Sequence, residues 1–228
     1  MRGSLLIGGL CLAALGCSRG PERTASAEAA PEPAPAAAPT PAPAVADNRP
    51  VIVCFGDSLT AGLGVDPALN YPSVLERRLN AAGHRYRVIN AGISGDTTGG
   101  GLARLDTILA WRPRIVVLEL GANDGLRGLP VETTRANLDQ ILTGLIAAGA
   151  KVVLAGMTLP PNYGPDYIRG FERVFVELAA NHKAVRIPFV LQDVAARPDR
   201  MLSDGLHPNA AGYQIVAGHV LRSLEPLL

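Results

Sequence analysis

Four short stretches carry the residue types that nucleophilic catalysis needs: Gly56-Asp57-Ser58-Leu59, Ile93-Ser94-Gly95-Asp96-Thr97, Gly121-Ala122-Asn123-Asp124 and Asp204-Gly205-Leu206-His207-Pro208. Ser58 offers a hydroxyl just past an apolar run, with its own backbone N–H beside the charge an attack would create. It is equally a favoured helix N-cap. Asp204 and His207 stand three apart across a turn closed by Gly205. That spacing lets a carboxylate accept from one imidazole nitrogen, fix the tautomer and leave the other nitrogen free for a proton; a capping turn would use the same pair. Asn123 can donate a side-chain N–H to an oxyanion or shape a turn. Gly95 can turn a backbone N–H outward, in a loop that also reads as a plain turn with Asp96 or Thr97 as helix cap. Asp57 reads as a hydrogen-bonding residue of the turn after the strand.

Elements of alternating type must place these loops. Val51-Ile52-Val53 leads a first strand into Gly56, and Ser58 opens a short helix. Apolar periodicity predicts helices over Tyr71–Ala82, Thr97–Ala110, Val131–Ala148, Tyr167–Asn181 and Asn209–Leu224. Strands are expected over Tyr86–Ala91, Arg114–Leu120, Lys151–Met157 and Ala184–Ile187. The run RIVVLEL is nearly all apolar, as a strand buried on both faces must be. Such βαβ alternation gives a parallel sheet covered by helices on both faces, with right-handed crossovers. In that architecture ligands bind at the loops after the strands, and the first three candidate stretches follow strands. Of the four histidines, His84 follows a helix-ending glycine, His182 follows a helix and His219 lies within one. His207 alone sits on a loop with a carboxylate at useful spacing.

The chain carries a net charge of +1, so no basic excess points to nucleic acid. Its three cysteines, Cys11, Cys17 and Cys54, build neither a disulfide framework nor a metal cluster; Cys54 reads as a small buried residue. Residues 1–17 read as a secretory signal, with Arg2 before an apolar core too short to span a bilayer. The ending Ala14-Leu15-Gly16-Cys17 resembles a bacterial lipobox, which would make Cys17 a lipidated N-terminus; the other reading is an ordinary cleaved signal. Residues 18–48 are rich in proline and alanine and nearly free of aromatic residues. Such a segment cannot bury a core and suits an extended tether. The folded domain is expected over 49–228. An exported protein follows, anchored by lipid and facing the periplasm, or secreted into it if Cys17 is not lipidated.

Taken in order, GDSL, ISGDT, GAND and DGLHP resemble the four-block pattern of the SGNH hydrolases, also called GDSL esterases, from about Val51 to the C-terminus. The stretches GISGDT, GLARL, LELGANDGLRG, LPPNYG and DGLHPN resemble the thioesterase-like branch of that family. Thr60 stands where the second glycine of the ordinary α/β-hydrolase elbow would be. The resemblance implies a three-layer flavodoxin-like α/β fold around a parallel five-stranded sheet. It implies Ser58 as nucleophile, His207 as general base and Asp204 as the acid that orients it. The oxyanion donors would be the N–H groups of Ser58 and Gly95 and the side chain of Asn123. The segment Asp124 to Pro130 resembles a mobile loop that closes over acyl chains, which makes Asp124, Gly125 and Leu126 candidate substrate contacts, together with Leu159; all could equally be packing residues. The implied activity is hydrolysis of carboxylic esters and thioesters, including aryl esters and lysophospholipids, through an acyl-enzyme. No metal or cofactor is needed. The substrate is a small molecule held in an open, shallow groove, the membrane is met only through the lipid anchor, and the protein is expected to be a monomer. Two other readings are a carbohydrate acetylesterase of the same superfamily and a non-catalytic surface binding protein.

Overall fold

The computed structural model describes residues 47–228. The signal segment 1–17, Cys17 and all but the last two residues of the 18–48 tether lie outside the described residues. Strand β1, Val51–Gly56, is buried from Ile52 onward, as its apolar run requires. It pairs in parallel with β2, Arg87–Gly92, on one side. On the other side lies β3, Ile115–Glu119, followed by β4, Lys151–Ala155, and β5, Val185–Ile187. The order β2-β1-β3-β4-β5 reverses direction at β1, which creates a crevice where the loops after β1 and β3 diverge.

Helices cover both faces. On one side α2, Tyr71–Ala81, packs against α8, Ala210–Leu224. On the other, α6, Val131–Ala147, packs against α7, Pro165–His182. The stripe Leu138, Ile141, Leu142 and Leu145 of α6 is fully buried, at the spacing that brings one helical face to the sheet. In α7 the rings of Phe171 and Phe175 meet edge-on at 5.2 Å, a favourable aromatic geometry. No helix among the described residues is long and apolar enough to cross a membrane.

Three departures from the periodicity bear on the crevice. The helix expected over Thr97–Ala110 is two pieces, α3, Thr98–Ala103, and α4, Leu105–Ala110. Three consecutive glycines in α3 weaken it, and Arg104, at φ −111° and ψ 15°, interrupts the run. The segment after β3 is not a loop: Ala122–Leu126 forms a short helix, α5. The single-turn α1, Ser58–Ala61, begins as expected, but Asp57 is the N-cap, its carboxylate accepting the Leu59 N–H at 3.0 Å. The capping role open to Ser58 is thus taken by its neighbour.

Candidate active site

The turn from β1 into α1 is tight because Gly56 lets chains approach closely. A side chain there would come within 2.1 Å of the Thr60 hydroxyl and 2.5 Å of the Glu119 carboxylate. The turn leaves Ser58 at the crevice with its hydroxyl clear of the capping bond.

His207 arrives from the far end of the chain. Met201 and Pro208 form an isolated antiparallel bridge that closes the intervening turn. Inside it, Asp204 Oδ1 accepts the N–H groups of Leu206 at 2.9 Å and His207 at 3.0 Å. Its Oδ2 meets His207 Nδ1 at 2.7 Å. The opposite ring nitrogen, Nε2, lies 2.9 Å from Ser58 Oγ. Three side chains, drawn from opposite ends of the domain's sequence, thus lie in one hydrogen-bonded line. The Asp204 carboxyl is held down to about 2, first by the His207 N–H, then by the Leu206 N–H and the His207 ring. It therefore stays ionised beside the imidazole. The other histidines lie elsewhere: His182 meets Asp139 at 2.6 Å and His219 meets the Gln192 carbonyl at 2.9 Å.

Gly95 lies in the loop after β2 at φ +81°, a left-handed conformation that glycine adopts without strain. Neither its N–H nor that of Ser58 has a hydrogen-bond partner among the described residues. Asn123, in the first turn of α5, faces both loops. One amide hydrogen goes to Asp57 Oδ2 at 3.0 Å and the other to the Asp96 carbonyl at 2.9 Å. Thr97, not Asp96, caps α3.

Asp57 is almost completely buried, and burial pushes its carboxyl up to about 6, against the lowering pull of the Leu59 N–H and His207. Below it lies Glu119, the one charged residue of β3, with no exposed surface. Glu119 Oε2 accepts from the Thr60 hydroxyl at 2.7 Å and the Asp57 N–H at 3.3 Å, while Oε1 has no partner. Burial, and then the Asp57 charge, holds this carboxyl well above its usual range, which favours its protonated form. A single glutamate inside RIVVLEL was a visible signal of a buried polar group. Cys54, also fully buried, has its thiol pushed up to about 12 by burial and is unreactive.

A cavity of about 540 Å³ opens beside Ser58 and His207. That size suits a small-molecule site. Leu126 and Leu159 line it, as do Met157, Phe189, Leu191 and Ala195. The wall supplied by residues 189–201 had no signature in the sequence, because it follows a three-residue strand and carries little periodicity. Asp124 and Gly125 are not among the lining residues. The Asp124 carboxylate is buried behind the wall, where it accepts the N–H and the hydroxyl of Thr98. Gly125 packs under Leu159, which a side chain there would meet at 2.6 Å. These two positions support the wall, because their helix turns them inward.

The family model for GDSL-like lipases and acylhydrolases matches residues 54–215. Esterase TesA of Pseudomonas aeruginosa is 45% identical over 178 residues, covering 78% of this chain and 89% of the relative. A crystal structure of TesA superposes with a TM-score of 0.76, at 45% identity, covering 78% of this chain and 99% of that one. An arylesterase of Vibrio mimicus is 40% identical, over 76% of this chain and 87% of its own. Thioesterase 1/protease 1/lysophospholipase L1 of Escherichia coli K12 is 37% identical, over 78% of this chain and 84% of its own.

Proposed function

The chain belongs to the GDSL-like lipase/acylhydrolase family and is a carboxylic ester hydrolase, and from that premise we propose that Ser58, His207 and Asp204 are its nucleophile, base and orienting acid. The carrying observation is the line of contacts from Ser58 Oγ to His207 Nε2 at 2.9 Å and from His207 Nδ1 to Asp204 at 2.7 Å. Neutral His207 takes the Ser58 proton as the oxygen bonds to the substrate carbonyl carbon. The carbonyl π electrons move onto oxygen, where the N–H groups of Ser58 and Gly95 and the Asn123 amide receive the charge. Collapse breaks the bond to the leaving alcohol or thiol, which takes the proton from His207. Water then attacks the acyl-enzyme by the same steps, releasing the acid and restoring Ser58. Asp204 steadies the imidazolium throughout.

The names of the relatives and the apolar cavity support aryl esters, acyl thioesters and lysophospholipids as substrates. The acyl chain lies along Leu126, Leu159, Phe189 and Leu191. A folded catalytic domain over 49–228, monomeric, is carried behind an export signal and a tether, with lipidated Cys17 as anchor on the periplasmic side. Transfer of wild-type enzyme, but not Cys17→Ser, to the membrane fraction supports the anchor; soluble wild type refutes it. Labelling with a fluorophosphonate probe followed by mass mapping tests the triad. An adduct on Ser58, absent from His207→Ala, is the expected result. An adduct elsewhere, or none with active enzyme, overturns the reading.

A further inference from the structure

We propose that Arg104 is a positioning residue that sets the spacing of the three oxyanion donors, by tying together the ends of the elements that carry them. The proposal rests on the assignment of Ser58, Gly95 and Asn123 as those donors.

Arg104 lies where α3 breaks from α4, and the three nitrogens of its guanidinium go to three different places. Nη2 donates to the Gly56 carbonyl at 3.0 Å, Nη1 to the Ala91 carbonyl at 2.9 Å, and Nε to Asp96 Oδ2 at 2.8 Å. Gly56 ends β1, two residues before Ser58. Ala91 is the penultimate residue of β2, on the way to Gly95, and Asp96 follows Gly95 directly. The Asp96 carbonyl is the acceptor that orients the Asn123 amide. A single side chain therefore touches the backbone before the first donor, both flanks of the second, and the residue that aims the third. The guanidinium also sits 4.5 Å above the Phe55 ring, so its plane is fixed as well as its charge.

Burial makes the tie effective. The side chains of Arg104 and Asp96 are 18% and 11% exposed, too little for solvent to screen the pair as it does at the surface. A second cation, Arg127, holds the Gly95 carbonyl at 2.9 Å from an exposed position, and it touches one donor loop alone.

A rigid planar fork is what this role requires. Lysine carries the charge but is a point donor on a flexible stem. Misplacing donors by a fraction of an ångström weakens transition-state binding and leaves ground-state binding of the acyl group largely alone. The expected signature is thus a loss in kcat with KM nearly unchanged.

The test is steady-state hydrolysis of p-nitrophenyl butyrate by the full-length enzyme and by Arg104→Ala, Arg104→Lys and Asp96→Asn, each corrected for folded fraction by thermal melting. Arg135→Ala, which breaks a surface pair with Glu177, is the control for loss of an arginine. Arg104→Ala and Arg104→Lys should each lose about tenfold to a hundredfold in kcat, less than removal of a donor itself, with KM within about threefold. Asp96→Asn should lose less. Guanidinium ion at millimolar concentration should restore part of the turnover of Arg104→Ala and none to Arg104→Lys. Wild-type kcat in Arg104→Lys overturns the proposal, as does a rise in KM with kcat unchanged. If Arg104→Ala does not fold, Arg104→Lys and Asp96→Asn carry the comparison. Fluorophosphonate labelling of the wild type at Ser58 is read alongside: a wrong assignment of the nucleophile fails there, and a wrong role for Arg104 fails only in the kcat comparison.

Discussion

Asn123 donates to the buried carboxylate of Asp57 at 3.0 Å, so the proposed oxyanion donor is held by the residue that caps the helix beginning at Ser58. With its other hydrogen on the Asp96 carbonyl, the amide is satisfied before substrate arrives. It must give up or share one of these bonds when the oxyanion forms. The N–H groups of Ser58 and Gly95 face no such competition among the described residues. Removing a single oxyanion donor lowers turnover by about a hundredfold to a thousandfold. Because Asn123 begins already engaged, Asn123→Ala is expected near the lower end, with KM little changed. Near-normal turnover would show that Asn123 serves only to hold Asp57 and the loop after β2.

Asp204 is ionised down to about pH 2 because the turn aims the His207 and Leu206 N–H groups at it. Its folded value lies below the usual one, so its contribution is complete above the usual carboxylate range and is lost progressively as pH falls from that range through about 2. An acid limb in the rate profile at milder pH does not come from this carboxylate. Asp204→Asn should lower kcat by about a hundredfold or more through loss of tautomer control, while the acid limb persists. Disappearance of the limb in a pH–rate profile of the variant would assign it to Asp204.

Glu119 makes the opposite prediction for stability. Its folded value is raised above the ordinary 4.5 by burial and by Asp57. The folded state then binds the proton more tightly than the unfolded chain. The resulting stability is complete below the ordinary value and is lost as pH rises through the folded one. Asp57 acts in the same direction between 3.8 and about 6. Glu119→Gln cannot titrate and keeps an acceptor for Thr60. As pH rises above the ordinary carboxylate value, its unfolding free energy should fall less steeply than that of the wild type. Denaturant unfolding at several pH values measures this. Parallel curves for the two proteins would show that Glu119 does not hold its proton.

The cavity sets the response to chain length. Each methylene buried adds about 0.8 kcal/mol until the wall is reached. Ala195 lines the cavity with a small, half-buried side chain. Ala195→Leu should leave acetyl ester hydrolysis within about twofold and cut octanoyl ester hydrolysis roughly tenfold, the equivalent of somewhat less than two methylenes. The ratio of rates across acetyl, butyryl, octanoyl and palmitoyl esters reads this directly. Equal loss on all four would place Ala195 outside the acyl path.

Local physics made much of this molecule readable from its residues. Apolar runs and 3.6-residue periods named five strands and the long helices, since each must turn an apolar face to its neighbours in the core. The Asp204–His207 contact spans a single turn, so their spacing pointed to it, and the resemblance of the four polar stretches to the SGNH pattern marked Ser58, Gly95 and Asn123. Contacts between distant parts of the chain obeyed no such period. The approach of His207 to Ser58, 149 positions away, depends on how α8 packs against α2 and returns the last loop to the end of β1. The break at Arg104 accompanies contacts to three acceptors on other elements, against a pattern that favoured one helix. Asp124 turned inward because α5 formed where turn residues suggested a loop, and the buried carboxylates Asp57 and Glu119 became partners only when the sheet brought the ends of β1 and β3 side by side. Sequence encodes the faces of elements through short-range repeats; which polar groups meet across those faces is decided by burial, where a donor or acceptor left alone is costly and the whole fold must find it a partner.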